Sequence, residues 1–236
     1  MIVGFSGKKG SGKDLSGMIW QALMNKPTAF DNMEVVTEED VIYKVWDNPS
    51  FKNVKFADTL KDFICMLLGC TRDQLEDRHY KEAPLPQSWW YYKLGNGKIV
   101  ERGSFKNPDD NQMCEERYLV KTTPRLLLQL MGTECGRDIL HPNLWVNAVI
   151  SNYKPDSNWV ITDMRFPNEL KAVKKRGVTI RVNRAMATLG MLEDEHPSET
   201  ALDGAEFDYV IENNGTIKDL VDKIRSIIIK ENLYES

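Results

Sequence analysis

Apolar residues along this chain follow two alternating rhythms. Short continuous runs at residues 2–5, 54–57, 159–163, 178–182 and 209–211 carry the β-branched and aromatic side chains of buried strands. Between them apolar residues return every three or four positions, the spacing of one helix face. Such sets are Leu15, Met18, Ile19, Ala22 and Leu23; Leu60, Phe63, Ile64, Leu67 and Leu68; and Leu220, Val221, Ile224, Ile227 and Ile228. Shorter helices have their own punctuation. Thr71-Arg72-Asp73-Gln74 is a capping box, and Thr123-Pro124 opens a helix whose buried stretch, residues 126–131, ends at Gly132. Residues 133–138 then read as a polar loop. Pro142 opens a helix carrying Leu144, Trp145, Ala148 and Val149, and Pro167 opens another that Gly177 stops. Thr216 with Asp219 caps the last helix. Strands alternating with helices predict an α/β fold, a five-stranded, mostly parallel sheet flanked by helices. In such a sheet ligands gather at the carboxyl ends of the strands.

Two stretches interrupt the rhythm. Residues 26–52 read as irregular, with an edge-strand pattern at 41–46 and a turn at Asp47-Asn48-Pro49-Ser50. Residues 79–122 read as an insertion, because Pro84 and Pro86 break any helix. Its Trp89-Trp90-Tyr91-Tyr92 cluster and residues 98–101 flank Gly95-Asn96-Gly97, a hairpin signal. The aromatic cluster is read as packing the hairpin onto its own domain.

Candidate chemistry begins at once. The first strand runs into Gly7-Lys8-Lys9-Gly10-Ser11-Gly12-Lys13-Asp14, the spacing G-x-x-x-x-G-K, and a helix follows. That is the setting of a phosphate-binding loop. Its glycines let successive N–H groups turn toward a phosphate chain, the helix start adds its dipole, and Lys13 supplies a point charge. Gly7, Lys8, Gly10, Ser11, Gly12, Lys13 and Asp14 are therefore candidate nucleotide contacts. Asp14 stands where a magnesium-binding Ser or Thr is usual, so direct hydroxyl ligation of the metal is lost there. Further on, residues 159–163 form an apolar strand ending in Asp163, a Walker-B-like signature when paired with such a loop. Arg165 follows two residues later and Arg184 follows the next strand. Lys61 falls in the first turn of its helix, where a cation is unfavourable unless a ligand needs it.

Composition narrows the class. The 236 residues carry a net charge of -4 with 42% hydrophobic content, enough to bury a core and too acidic to coat nucleic acid. A small basic pocket for one nucleotide is still compatible. Cys65, Cys70, Cys114 and Cys135 form no C-x-x-C pair and read as reduced thiols of a cytoplasmic protein. No stretch has the length and apolarity of a membrane span or signal peptide. His196 and Glu199 have the chemistry of a general base with its orienting carboxylate, but phosphoryl transfer needs no strong base, so a structural histidine is preferred.

The chain resembles the deoxynucleoside monophosphate kinases of bacteriophages, within the P-loop nucleoside monophosphate kinases. The resemblance rests on residues 7–14 with their Gly-Lys-Asp variant, and on Phe56-Ala57 with Lys61. It rests further on Arg125-x-x-x-Gln129-x-x-Gly132-Thr133 before Trp145-Val146, on Asp163-x-Arg165-x-x-x-Glu169, and on the late Asn-Gly turn. It implies a single P-loop kinase domain over residues 1–236, with insertions near 28–52 and 84–120 and a lid near 184–200 that includes Arg184. It implies ATP over the loop, with Asn213 and Gly215 in the turn that holds adenine. Lys61, Arg125, Gln129, Gly132, Thr133, Trp145, Arg165 and Glu169 would belong to the monophosphate side. Lys13, Asp163 and Arg165 would be catalytic, and Asp14 and Asp163 would hold Mg²⁺ through water. The implied reaction moves the γ-phosphate of ATP to a deoxynucleoside monophosphate in the cytoplasm, of the host if the source is viral. It implies no stable nucleic-acid or membrane partner, and a homodimer is the one self-association left open. Two other classes share the loop: a kinase of the dephospho-coenzyme A type, and a DNA-handling ATPase, against which the acidic balance counts.

Overall fold

The computed structural model describes residues 1–45, 50–95, 97–101, 117–185 and 200–234. The turn at 47–49, Asn96 of the hairpin tip, Cys114, and His196 and Glu199 with most of the expected lid lie outside the described residues. In chain order the elements are β1 (Ile2–Ser6), α1 (Lys13–Asn25), α2 (Glu38–Val45), β2 (Lys52–Asn53), α3 (Asp58–Leu68), α4 (Arg72–Glu76) and α5 (Arg78–Glu82). Then come β3 (Tyr91–Leu94), β4 (Ile99–Glu101), β5 (Arg117–Val120), α6 (Pro124–Leu130), a π-helix (Met131–Leu140) and α7 (Leu144–Ile150). The chain continues with β6 (Trp159–Met164), α8 (Pro167–Lys174), β7 (Gly177–Asn183), β8 (Tyr209–Glu212) and α9 (Ile217–Lys230). These form two compact units, Met1–Asp58 with Val146–Ser236, and Thr59–Trp145.

The first unit holds a five-stranded sheet in the order β2-β6-β1-β7-β8, every pair parallel. The expected α/β sheet is therefore present. Alternate residues of the central strand feed two cores, as strand geometry requires. Val3 and Phe5 join Trp20 of α1 and Ile224 and Ile228 of α9 on one face. Ile2 joins Ile161, Met164, Val146 and Val173 on the other. Gly17 brings α1 hard against β6. A Cβ there would lie 2.5 Å from the Thr162 side chain.

Three expectations of local structure are corrected. The second strand is only Lys52–Asn53; Val54 adds one bond to the Val160 carbonyl, and the chain then turns. The turn arises because the N–H groups of Phe56 and Ala57 go to the Asp163 carboxylate instead of a ladder. Residues 38–45 are helix, not edge strand, since Thr37 and Asp40 exchange capping bonds ahead of an acidic first turn. Val41 is buried while Ile42 and Tyr43 are exposed, a helical and not an alternating pattern.

The third correction lies in the second unit. Gly132 does not end its helix: α6 runs on into the π-helix, which covers the expected loop at 133–138. Side chains close onto this turn: the Gly132 carbonyl accepts from Trp145 Nε1 at 3.0 Å and Arg137 Nε at 3.1 Å. Gly136 is needed inside it, because a Cβ there would lie 2.2 Å from the Met131 carbonyl oxygen. This unit also contains a core around Ile64, Cys65 and Leu75, and the antiparallel sheet β4-β3-β5 that realises the hairpin.

Candidate active site

In the first unit, β1 delivers the chain to the loop and α1 leaves it. Gly12 is the N-cap residue of α1, at φ 92, and gives the helix no side-chain cap. The N–H groups of the first turn are thus not covered by the cap residue and, with the helix dipole, make an anion site. Gly10 also has positive φ, 79, a conformation costly for other residues. Ser11 N–H closes the loop onto the Lys8 carbonyl, and Lys13 Nζ reaches the same oxygen at 3.4 Å. Lys8 Nζ lies 3.6 Å from Asp203.

Asn213 at the end of β8 is buried, and its Nδ2 donates to the Ser11 carbonyl at 2.9 Å. The Asn-Gly turn thus props the loop from behind. A cavity of about 520 Å³ opens over the helix start, with Lys13, Asp14, Arg184, Asn213 and Gly215 among its polar walls. Leu15, Met18, Ile217 and Leu220 give it an apolar side.

Asp14 is more than a helix-start charge. Its Oδ1 accepts from Thr162 Oγ1 at 2.6 Å and lies 3.6 Å from Lys55 Nζ. Neither partner is adjacent in sequence: Lys55 falls in the expected second strand and Thr162 in the strand that carries Asp163. Asp163 follows on β6, and its two carboxylate oxygens each accept a main-chain N–H at 3.0 Å, from Phe56 and Ala57. Burial pushes its pKa above the ordinary value, against the pull of those two bonds and of the Lys55 charge. Arg165 is exposed just beyond the strand. Its main-chain N–H donates to Glu169 Oε2 at 2.7 Å, and Phe166 N–H goes to the same oxygen. Glu169, 2% exposed, is therefore the buried cap of α8 that fixes the turn bearing Arg165.

The second unit holds the other candidate residues. Arg125, in the first turn of α6, pairs with Glu82 of α5. Gln129 and Thr133 are half-buried along α6 and the π-helix, and buried Trp145 braces Gly132 through its indole N–H. Lys61 of α3 bonds Glu76 of α4, as does Lys81 of α5 at 2.9 Å. Sequence reading did not single out Glu76 or Lys81, which only helix packing brings to Lys61. Burial alone would raise the Glu76 pKa; bonds and charge from the two lysines overcome that and hold it at about 2. A depressed carboxyl adds stability above its unfolded pKa and loses it as pH falls through the folded value. The melting-temperature gap between the wild type and Glu76→Gln is thus expected to be full above about pH 4.5 and to close toward pH 2. A gap independent of pH would contradict this ion-pair account.

Among the described residues no group of three His, Cys, Asp or Glu could hold a metal alone, and no helix is long and apolar enough to cross a membrane.

Comparison with known proteins gives the family. Over 238 aligned residues the chain is 25% identical to the deoxynucleoside-5'-monophosphate kinase of Escherichia phage T5, covering 86% of this chain and 85% of that protein. It is 30% identical over 110 residues to the deoxynucleotide monophosphate kinase of Escherichia phage RB69, 44% of each chain. An uncharacterised protein of Ictalurid herpesvirus 1 is 32% identical over 118 residues, 48% of this chain and 51% of that one. The family model for deoxynucleotide monophosphate kinase matches residues 95–224, more than half of the chain, from the hairpin of the second unit into α9. With a parallel sheet behind a phosphate loop and that match, the chain belongs to the deoxynucleotide monophosphate kinase family.

Proposed function

We propose that the protein transfers the γ-phosphate of ATP to a deoxynucleoside monophosphate, with the nucleotide triphosphate on the loop of residues 7–14. The observation that carries this is the amino end of α1, set behind Gly10 and Gly12 and left without a side-chain cap, in a chain of this family. The triphosphate binds there, with Lys13 on its outer phosphates and the base against the apolar side of the neighbouring cavity. Asn213 serves by holding the loop, and Arg184 begins the lid. On this reading the chain is one kinase domain in which residues 59–145 are an inserted unit. That unit includes the expected insertion of 84–120 and carries the acceptor contacts Lys61, Arg125, Gln129 and Thr133. Trp145 supports them by fixing Gly132.

The donor set beside the loop fits Mg²⁺. Asp14, Thr162 and Asp163 offer only oxygen, and with no group of three His, Cys, Asp or Glu ligands among the described residues the metal would keep waters and phosphate oxygens. Asp14 and Asp163 would hold it through water, Asp163 because its own oxygens already accept main-chain N–H groups. When bound with ATP, the ion supplies charge neutralisation for the phosphate chain. The protein's remaining task is positioning: the acceptor phosphate oxygen attacks the γ-phosphorus in line while preorganised cations balance the charge.

The test is product analysis with ATP against deoxynucleoside monophosphates, ribonucleoside monophosphates, dephospho-coenzyme A and DNA. Diphosphate formed from at least one deoxynucleoside monophosphate is expected. Turnover only with dephospho-coenzyme A, or only on adding DNA, would contradict the proposal.

A further inference from the structure

We infer that Lys81 is a second cation for the acceptor phosphate, held beside Lys61 by Glu76. This rests on the reading above that Lys61 faces that phosphate. Glu76 stands on a fixed support, because α4 has a complete capping box from Thr71 and Gln74 and buries Leu75 fully. Lys61 and Lys81 arrive from two other helices and take separate oxygens of this one carboxylate, Oε1 and Oε2. Their side chains are only 20% and 17% exposed, whereas Glu76 is 46% exposed. That is the reverse of the usual lysine, which keeps its ammonium in water.

Among the described residues the charges do not balance. Arg72 approaches Glu76 only to 3.8 Å and has its own partner, Asp62, at 2.6 Å. Two lysines therefore share one glutamate, which leaves one excess positive charge partly removed from water. Such a charge is costly until an anion completes it. A phosphate monoester dianion is the matching ligand, and paired ammonium groups suit it as mobile point charges. The depressed pKa of Glu76 agrees, since the carboxylate stays ionised and keeps both lysines gathered. Helix α5 ties the arrangement together: the next residue, Glu82, holds Arg125, another acceptor-side cation.

The experiment is calorimetric titration of the full chain, without ATP, using the deoxynucleoside monophosphate that turns over best and its unphosphorylated nucleoside. Lys81→Met is expected to weaken monophosphate binding by roughly tenfold or more, as loss of a charged hydrogen bond does, and to leave nucleoside binding unchanged. Lys81→Arg should recover most of the loss, and the KM for ATP should not move. If Lys81→Met does not fold, Lys81→Gln, which keeps a hydrogen bond to Glu76, should show the same selective loss. Wild-type monophosphate binding in Lys81→Met while Lys61→Met is weakened overturns the inference alone. Equal losses for nucleoside and monophosphate, or no recovery by arginine, make Lys81 a strut and also overturn it. Wild-type binding in Lys61→Met removes the acceptor assignment on which the inference stands.

Discussion

Lys13→Ala is expected to reduce phosphoryl transfer by on the order of 10³-fold while leaving the fold intact. The lysine begins α1, and its ammonium lies against the Lys8 carbonyl at 3.4 Å, folded over the same loop it is expected to serve. On the proposed reading its charge serves phosphates, and it is absent from both hydrophobic cores of the first unit, whose members are apolar. Removing it should therefore leave the melting temperature nearly unchanged, as substitutions away from core and caps usually do. The loss falls on the transition state, where charge on the transferring group needs a fixed donor. Steady-state kinetics with a thermal melt checks both halves. Unchanged turnover in a folded variant would remove the loop from the reaction.

Arg165→Lys is expected to lower kcat by on the order of 10²-fold, with the KM for ATP moving much less. Arg165 stands exposed past the end of β6, and its turn is fixed by Glu169, whose buried carboxylate takes the N–H groups of Arg165 and Phe166. A planar guanidinium there can span two phosphate oxygens that share charge mainly in the transition state, which a lysine cannot imitate. The competing role is an ion pair with Glu169 for stability. The bond on which the turn rests, however, runs through the main chain of Arg165, which a lysine keeps. Near-normal kcat with a lowered melting temperature would favour the competing role.

The sequence was legible where the signal is local. The loop at 7–14, the strand that carries Asp163, and the capping boxes at Thr71 and Thr216 all stand where spacing and residue type placed them. Each needs only neighbours within one turn of chain. Long-range hydrogen bonds stayed hidden. Residues 54–57 have strand composition, yet Asp163, more than a hundred positions away, takes the two N–H groups that would have continued the ladder. The π-helix was missed because Gly132 looks like a stop, while the bond that braces it comes from Trp145 on another helix. The same limit applied at the candidate site. Asp14 was identified, but its partners Thr162 and Lys55 come from separate segments, and the Lys61–Glu76–Lys81 group exists only once three helices pack. Helix α2 was the avoidable miss, since Thr37 and Asp40 carry the same capping spacing read correctly elsewhere.

On the proposed reading the γ-phosphate passes from ATP directly to the phosphate of a deoxynucleoside monophosphate. The measurement that tests it most directly is the fate of label from γ-³²P-ATP in a reaction containing that acceptor. Label is expected in the β-position of the deoxynucleoside diphosphate, matched one for one by ADP, and lost in Lys13→Ala. Label released as inorganic phosphate whether or not the acceptor is present, or found on a sugar hydroxyl, would contradict it.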